Sequence, residues 1–150
     1  MQLSNRIRTR VPERRHARGL IDTSVVIDLG RVDPADLPDE IAVSAVTLAE
    51  LAAGPHATDD PDERARRQHT LQRTEATFEA LPVDGDVARA YGRVYSAVAS
   101  AGRSARGRRA FDLLIAATAL AVNLPLYTGN PSDFEGLDAF LEVVPVSAGH

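Results

Sequence analysis

Short apolar runs recur along this chain, each followed by a stretch of helical spacing, and that alternation constrains the fold more than any other feature. Gly19-Leu20-Ile21 reads as a strand ending at Asp22-Thr23-Ser24, after which Val25, Val26, Ile27 and Leu29 mark a short helix. Ile41-Ala42-Val43-Ser44 reads as a second strand, followed by a helix from Thr47 to Ala53 that Gly54-Pro55 stops. A charged amphipathic helix then runs from Pro61 to Leu81, and Leu81-Pro82-Val83 is a brief extended piece. Asp84 or Asp86 caps a helix in which Val87, Tyr91, Val94, Tyr95 and Val98 recur at helical spacing, ending at Ala101-Gly102. Beyond a basic loop from Arg103 to Arg109, Ala110 to Val122 forms an almost wholly apolar helix. Leu124 to Tyr127 and Val143-Val144-Pro145-Val146 read as further strands, the last at an edge. Short apolar strands alternating with helices predict an α/β fold whose parallel sheet is covered on both faces.

The chain's 150 residues make one ordinary domain, and 44% hydrophobic residues can bury a real core. There is no cysteine, which excludes disulfides, thiolate metal sites and cysteine nucleophiles. All 17 basic residues are arginine, so a phosphate-loop lysine or a Schiff-base lysine is excluded as well. The longest apolar stretch, Leu113 to Val122, is far short of the roughly 20 residues a membrane span needs, so a cytoplasmic, membrane-free protein is expected. Charge is unevenly spread. Residues 1–18 hold six arginines and one acid and read as a flexible extension, leaving eleven arginines against twenty acids, a net of −9, for residues 19–150. An acidic body lacks the basic footprint of a simple nucleic-acid binder, so any action on RNA or DNA needs another source of positive charge, such as a bound metal.

Ligands of a parallel sheet bind beyond the carboxyl ends of its strands, which directs attention to acids at strand-to-helix junctions. Asp22 ends the first strand, where it reads equally as a helix cap. Glu50 closes Thr47-Leu48-Ala49-Glu50, which also fits a capping box. Asp112 is the one charge between Arg109 and Val122, and acids are rarely buried without partners. Asp133 follows Asn130-Pro131-Ser132, where Asn130 could cap a helix and Pro131 begin it. If a sheet converges these four, their mutual repulsion calls for cations among them. An all-oxygen set, with His16, His56, His69 and His150 sharing no ligand spacing, suits Mg²⁺ or Mn²⁺ rather than zinc. Such a site suits phosphodiester hydrolysis by a metal-activated water.

Four segments carry a family resemblance: Leu20 to Asp28 (LIDTSVVID), Ala45 to Leu51 (AVTLAEL), Phe111 to Ala119 (FDLLIAATA) and Tyr127 to Phe134 (YTGNPSDF). In this order and spacing they resemble the motifs of PIN-domain proteins, and most of all the VapC toxin ribonucleases of VapBC toxin–antitoxin pairs. The resemblance covers residues 19–147, leaving 148–150 as a tail. It implies a three-layer α/β/α sandwich around a parallel sheet of four to five strands. It also implies Mg²⁺- or Mn²⁺-dependent endonucleolysis of RNA, neutralisation by a VapB antitoxin, and a homodimer that forms higher assemblies with the antitoxin. Carried over by motif, Asp22 and Asp112 would be the main metal ligands, Glu50 would complete the acidic cluster directly or through water, and Asp133 would be the fourth acid. Thr128 and Asn130 would support the site nearby, and Thr23 and Ser24 would order waters or the scissile phosphate.

Arg103, Arg106, Arg108 and Arg109 precede Asp112 and are candidate RNA contacts, since basic groups hold phosphate; a solvated loop accounts for them equally well. Arg64, Arg66, Arg67 and Arg73 lie among acids on one helix and read as a salt-bridged exposed face. Tyr91, Tyr95 and Phe78 read as core or subunit contacts. Two rival enzymes, a haloacid-dehalogenase-type phosphatase and a receiver-like phospho-acceptor, both expect a lysine, and the first also expects an acid where Ser24 stands. The remaining alternative is a degenerate PIN fold that only binds RNA or a partner.

Overall fold

The computed structural model describes residues 16–149. The expectations placed on residues 1–15 and on His150 lie outside them. Five strands form one all-parallel sheet in the order β3-β2-β1-β4-β5: β1 (Arg18–Ile21), β2 (Glu40–Ser44), β3 (Glu79–Leu81), β4 (Leu126–Thr128) and β5 (Val143–Pro145). The helices are α1 (Thr23–Ile27), α2 (Ala45–Ala53), α3 (Pro61–Thr77), α4 (Gly85–Ser100) and α5 (Arg108–Ala121).

Strand alternation divides the core. Leu20, Ala42 and Leu126 are register partners and face one side, where Val87, Ala90, Val94 and Val98 of α4 and Leu113, Ala116 and Ala117 of α5 pack on them. Ile21, Val43 and Tyr127 are likewise partners and face the other side, covered by Val25 and Val26 of α1, Leu51 of α2 and Leu71 of α3. Both faces of β1, β2 and β4 are therefore dry, and the expected three-layer α/β/α sandwich is the one observed. Gly19 shares the second face. A Cβ there would stand 2.6 Å from Tyr127 Cε1 and 3.1 Å from Pro38 Cγ, so only glycine admits the Tyr127 ring.

Several boundaries differ from those read in the sequence. Arg18 belongs to β1 rather than to the extension, and its guanidinium pairs with Glu79 across the sheet at 3.0 Å. The helix beginning at Pro61 stops at Thr77, and Glu79 to Leu81 form β3 against β2, in place of an extended piece over Leu81 to Val83. His16 is half-buried, with Nε2 3.0 Å from Glu142 and its ring edge-on to Tyr127. On α3 the expected salt bridges form at two of the four arginines, Glu63 pairing with both Arg66 and Arg67 at 2.8 Å, whereas Arg64 donates to the Pro55 and Thr58 carbonyls at 3.2 and 2.8 Å. Asn123, in the left-handed region at φ 57°, ends α5 and turns the chain into β4.

Because β2 and β3 lie to one side of β1 and β4 and β5 to the other, the sheet reverses its winding between β1 and β4. A crevice opens beyond the carboxyl ends of strands at such a point. The segments leaving β1 and β4 begin with Asp22 and Gly129.

Candidate active site

Asp22 caps α1, its backbone extended and its Oδ1 accepting from the Val25 N–H at 3.1 Å. The same carboxylate does more than cap. The Ser24 hydroxyl donates to Oδ1 at 2.6 Å, and the Thr128 hydroxyl donates to Oδ2. Each hydroxyl oxygen in turn accepts a backbone N–H from the loop after β4: Gly129 to Ser24 at 3.0 Å, and Asn130 to Thr128 at 2.9 Å. Two hydroxyls thus clasp both oxygens of Asp22 while anchored to the neighbouring strand's loop. Burial pushes the Asp22 carboxyl above its ordinary value of 3.8, opposed by the bonds from Ser24 and Thr128.

Glu50 arrives from α2. That helix begins at Ala45, capped by Ser44, whose Oγ accepts from the Val46 N–H at 3.0 Å. Thr47 is therefore fully buried inside the helix, and the capping-box reading of Thr47 and Glu50 does not hold. The reason is that β2 runs straight into α2, so the last strand residue takes the cap. Glu50 is held instead by Thr23, whose hydroxyl donates to Oε1 at 2.6 Å and lies 3.0 Å from the Thr47 hydroxyl.

Asp112 sits in the second turn of α5, since the helix starts at Arg108 and has no acid in its first turn. Helix-end stabilisation does not explain it. Its carboxyl is pushed up to about 6, first by burial and then by repulsion from Asp133, Glu50 and Asp22, with Arg109 opposing. Asp133 lies in the single 3-10 turn Pro131–Phe134, which buried Phe134 anchors; Asn130 precedes the turn without a side-chain cap bond. Arg109 reaches across from α5, its Nη1 donating to the Asp133 carbonyl at 2.7 Å.

All four acids line one open cavity of about 690 Å³, with Thr23, Ser24 and Asn130 beside them. Thr128, fully buried, acts from behind Asp22. The four sequence-singled arginines divide. Arg106 and Arg109 line the cavity, whereas Arg103 pairs with Glu135 at 2.8 Å, and the Arg108 side chain lies outside what the structure describes. Two lining residues escaped sequence reasoning: Ser104, hidden in the basic loop, and Ile27, which marked only a short helix in the sequence and is 62% exposed.

Among the described residues no group of three His, Asp or Glu side chains is disposed to chelate a metal ion by itself. The donor chemistry nonetheless fits Mg²⁺, which is ordinarily held by one or two carboxylates and keeps several waters. Asp112 supplies the supporting observation: a half-buried carboxyl facing three other acids is a site where a cation relieves repulsion.

The family model described as "PIN domain" matches residues 19–139 of this chain. The chain belongs to the PIN-domain family. This PIN-domain protein is 43% identical over 135 residues to Ribonuclease VapC5 of Mycobacterium tuberculosis, covering 87% of this chain and 96% of the relative. It is 38% identical over 104 residues to Ribonuclease VapC8 of the same species, covering 67% of this chain and 89% of that relative. Among solved structures, it superposes with a TM-score of 0.76 and 42% identity on the crystal structure of VapBC-5, a member of the VapBC family of toxin–antitoxin systems from Mycobacterium tuberculosis. That match covers 87% of this chain and 99% of the other. The PIN-domain match begins one residue after β1 opens, and all four cavity acids lie within it.

Proposed function

We propose that this protein is a Mg²⁺-dependent endoribonuclease of the VapC type, the toxin of a type II toxin–antitoxin pair. It hydrolyses RNA phosphodiester bonds and is neutralised by a VapB-type antitoxin. The observation that carries the reading is the convergence of Asp22, Glu50, Asp112 and Asp133, from four separate segments, on one cavity at the winding reversal of the sheet. The similarity to relatives called Ribonuclease VapC supports the reaction, and the superposition on a VapBC structure supports the antitoxin partner. A homodimer and a cytoplasmic location complete the reading; among the described residues no helix is long and apolar enough to cross a membrane.

The residues divide the work by position. Asp22, with both oxygens fixed by Ser24 and Thr128, presents its carboxylate in one orientation. Asp112, opposite on α5, is the acid most in need of a positive partner and would hold the ion with Asp22. Glu50 and Asp133 add negative charge on either side, and Thr23 keeps Glu50 turned toward the cavity. Bound Mg²⁺ or Mn²⁺ would neutralise the phosphate and activate water, so no protein nucleophile is required. Arg106, exposed at the rim, attracts the RNA backbone into an otherwise acidic opening.

The test is cleavage of a mixed RNA pool with and without Mg²⁺ or Mn²⁺, comparing the wild type with Asp112→Asn. Metal-dependent cutting that vanishes in the variant supports the proposal. Cutting that survives the substitution overturns the assigned site. Absence of cutting by a folded, antitoxin-free wild type leaves the binding-only PIN fold as the better reading.

A further inference from the structure

We propose that Arg109 is a positioning residue of this site: its guanidinium bolts the turn carrying Asp133 to the first turn of α5, rather than contacting RNA. The inference rests on the nuclease reading for its activity arm alone.

The geometry is specific. Arg109 Nη1 donates to the Asp133 main-chain carbonyl at 2.7 Å, a charge-assisted bond stronger than a neutral one. Arg109 and Asp112 are three residues apart on α5 and so share one helix face. One side chain therefore ties the backbone of one acid to the helix face of another. The turn needs such a tie. It is a single 3-10 turn, closed internally by Asp133 N–H to Asn130 O at 3.0 Å and Glu135 N–H to Ser132 O at 3.4 Å. Short 3-10 segments have poor hydrogen-bond geometry, and their final carbonyls lack helical partners. Arg109 supplies the Asp133 carbonyl with a donor from outside, while Phe134 holds the turn's apolar side.

Arg106 provides the contrast. It lines the same cavity and is exposed, and its guanidinium has no partner among the described residues, its backbone N–H alone donating to Ser104 Oγ at 3.2 Å, so the charge remains available to a phosphate. Arg109 is half-buried and already engaged.

The test uses the full chain with Arg109→Met, Arg109→Lys and Arg106→Met. In metal-free, RNA-free protein, amide hydrogen exchange at Asp133 and Phe134 is expected to quicken about tenfold in Arg109→Met, as loss of one charge-assisted bond implies, with β4 unchanged. Arg106→Met is expected to leave that exchange as in the wild type. In cleavage, Arg109→Met lowers kcat with KM and salt dependence unaltered, and Arg109→Lys recovers part of the loss. Arg106→Met instead raises KM and reduces the salt slope by about 1. Unchanged exchange at Asp133 in Arg109→Met overturns the proposal. So does a rise in KM with a shallower salt slope, the behaviour of a phosphate contact. Should Arg109→Met not fold, Arg109→Ala takes its place: quickened exchange at Asp133 supports the bolt, and wild-type exchange in that variant refutes it. If the wild type cuts no RNA, the nuclease reading fails and the exchange measurement still decides the role of Arg109.

Discussion

The Thr128 hydroxyl on β4 donates to the Asp22 carboxylate at the end of β1, joining residues 106 positions apart. The two strands are neighbours in the sheet, with Ile21 in register with Tyr127, so the bond forms one residue beyond the ladder. The sheet itself therefore sets the orientation of the carboxylate.

Replacing Thr128 with valine keeps the shape and removes the hydroxyl. Asp22 then loses a donor, and the Asn130 N–H loses its acceptor. Leaving the buried Asp22 oxygen unpaired costs roughly 1–3 kcal/mol. The urea midpoint should fall with little change in slope, and RNA cleavage should fall with it. Thr128→Ser, which retains the hydroxyl, should stay close to the wild type in both measurements.

The raised carboxyl of Asp112 makes a prediction for metal-free protein. A group at about 6 when folded and ordinarily at 3.8 binds more protons in the folded state between those values. Stability therefore decreases as pH rises from about 4 to about 6 and is level above. Asp112→Asn removes the charge responsible. In chelator, the variant should melt above the wild type at pH 7.5, and the gap should close toward pH 4. Adding Mn²⁺ should reverse the order, because the ion stabilises the form that holds it.

Much of this architecture is legible from the chain, and the failures have physical causes. Leu20, Ile21, Ala42 and Val43 declare themselves as strands because both sheet faces are dry. Asp112 stands out because a lone charge in an apolar helix calls for an explanation. β3 hides because Thr77 to Leu81 carries no turn residue, and its three residues become a strand by pairing with β2. The start of α2 hides because Thr47 and Glu50 imitate a capping box while Ser44 makes the cap. The bolt at Arg109 was invisible, since a guanidinium reaching a main-chain carbonyl 24 residues away leaves no mark in sequence. Its neighbour Arg103, identical in composition terms, faces Glu135 instead.

Thr23 is the sole hydrogen-bond partner assigned to the Glu50 carboxylate among the described residues. Thr23→Val leaves that side chain free to turn into solvent and removes the proton that fixed it. Groups that orient a metal-side carboxylate are typically worth about 10–100-fold in metal affinity or activity. Cleavage should drop by about tenfold at limiting Mn²⁺ and recover partly at high Mn²⁺, with the melting temperature lowered as well, because the buried Thr47 hydroxyl loses Thr23 as its partner. A loss identical at every Mn²⁺ concentration would count against a role for Glu50 near the ion.

Gly129 tests the clasp from its other side. Its N–H donates to Ser24 Oγ, and a Cβ at that position would stand 3.2 Å from the same oxygen and 3.8 Å from the Val146 carbonyl oxygen. Such a contact is tight, so one neighbour has to yield. The clear candidate is Ser24, yet its hydroxyl is held at 2.6 Å by Asp22. Moving it lengthens one of two bonds that orient the carboxylate. On the other side, the Val146 N–H donates to Thr128 O at 2.9 Å, which keeps that strand segment from retreating. Gly129→Ala is therefore expected to reduce cleavage several-fold and lower the melting temperature slightly. Ser24→Ala removes the oxygen the new methyl meets. If the contact at Ser24 is the cause, adding Gly129→Ala to Ser24→Ala should cost less than it does in the wild type, a non-additivity that a double-mutant cycle measures directly.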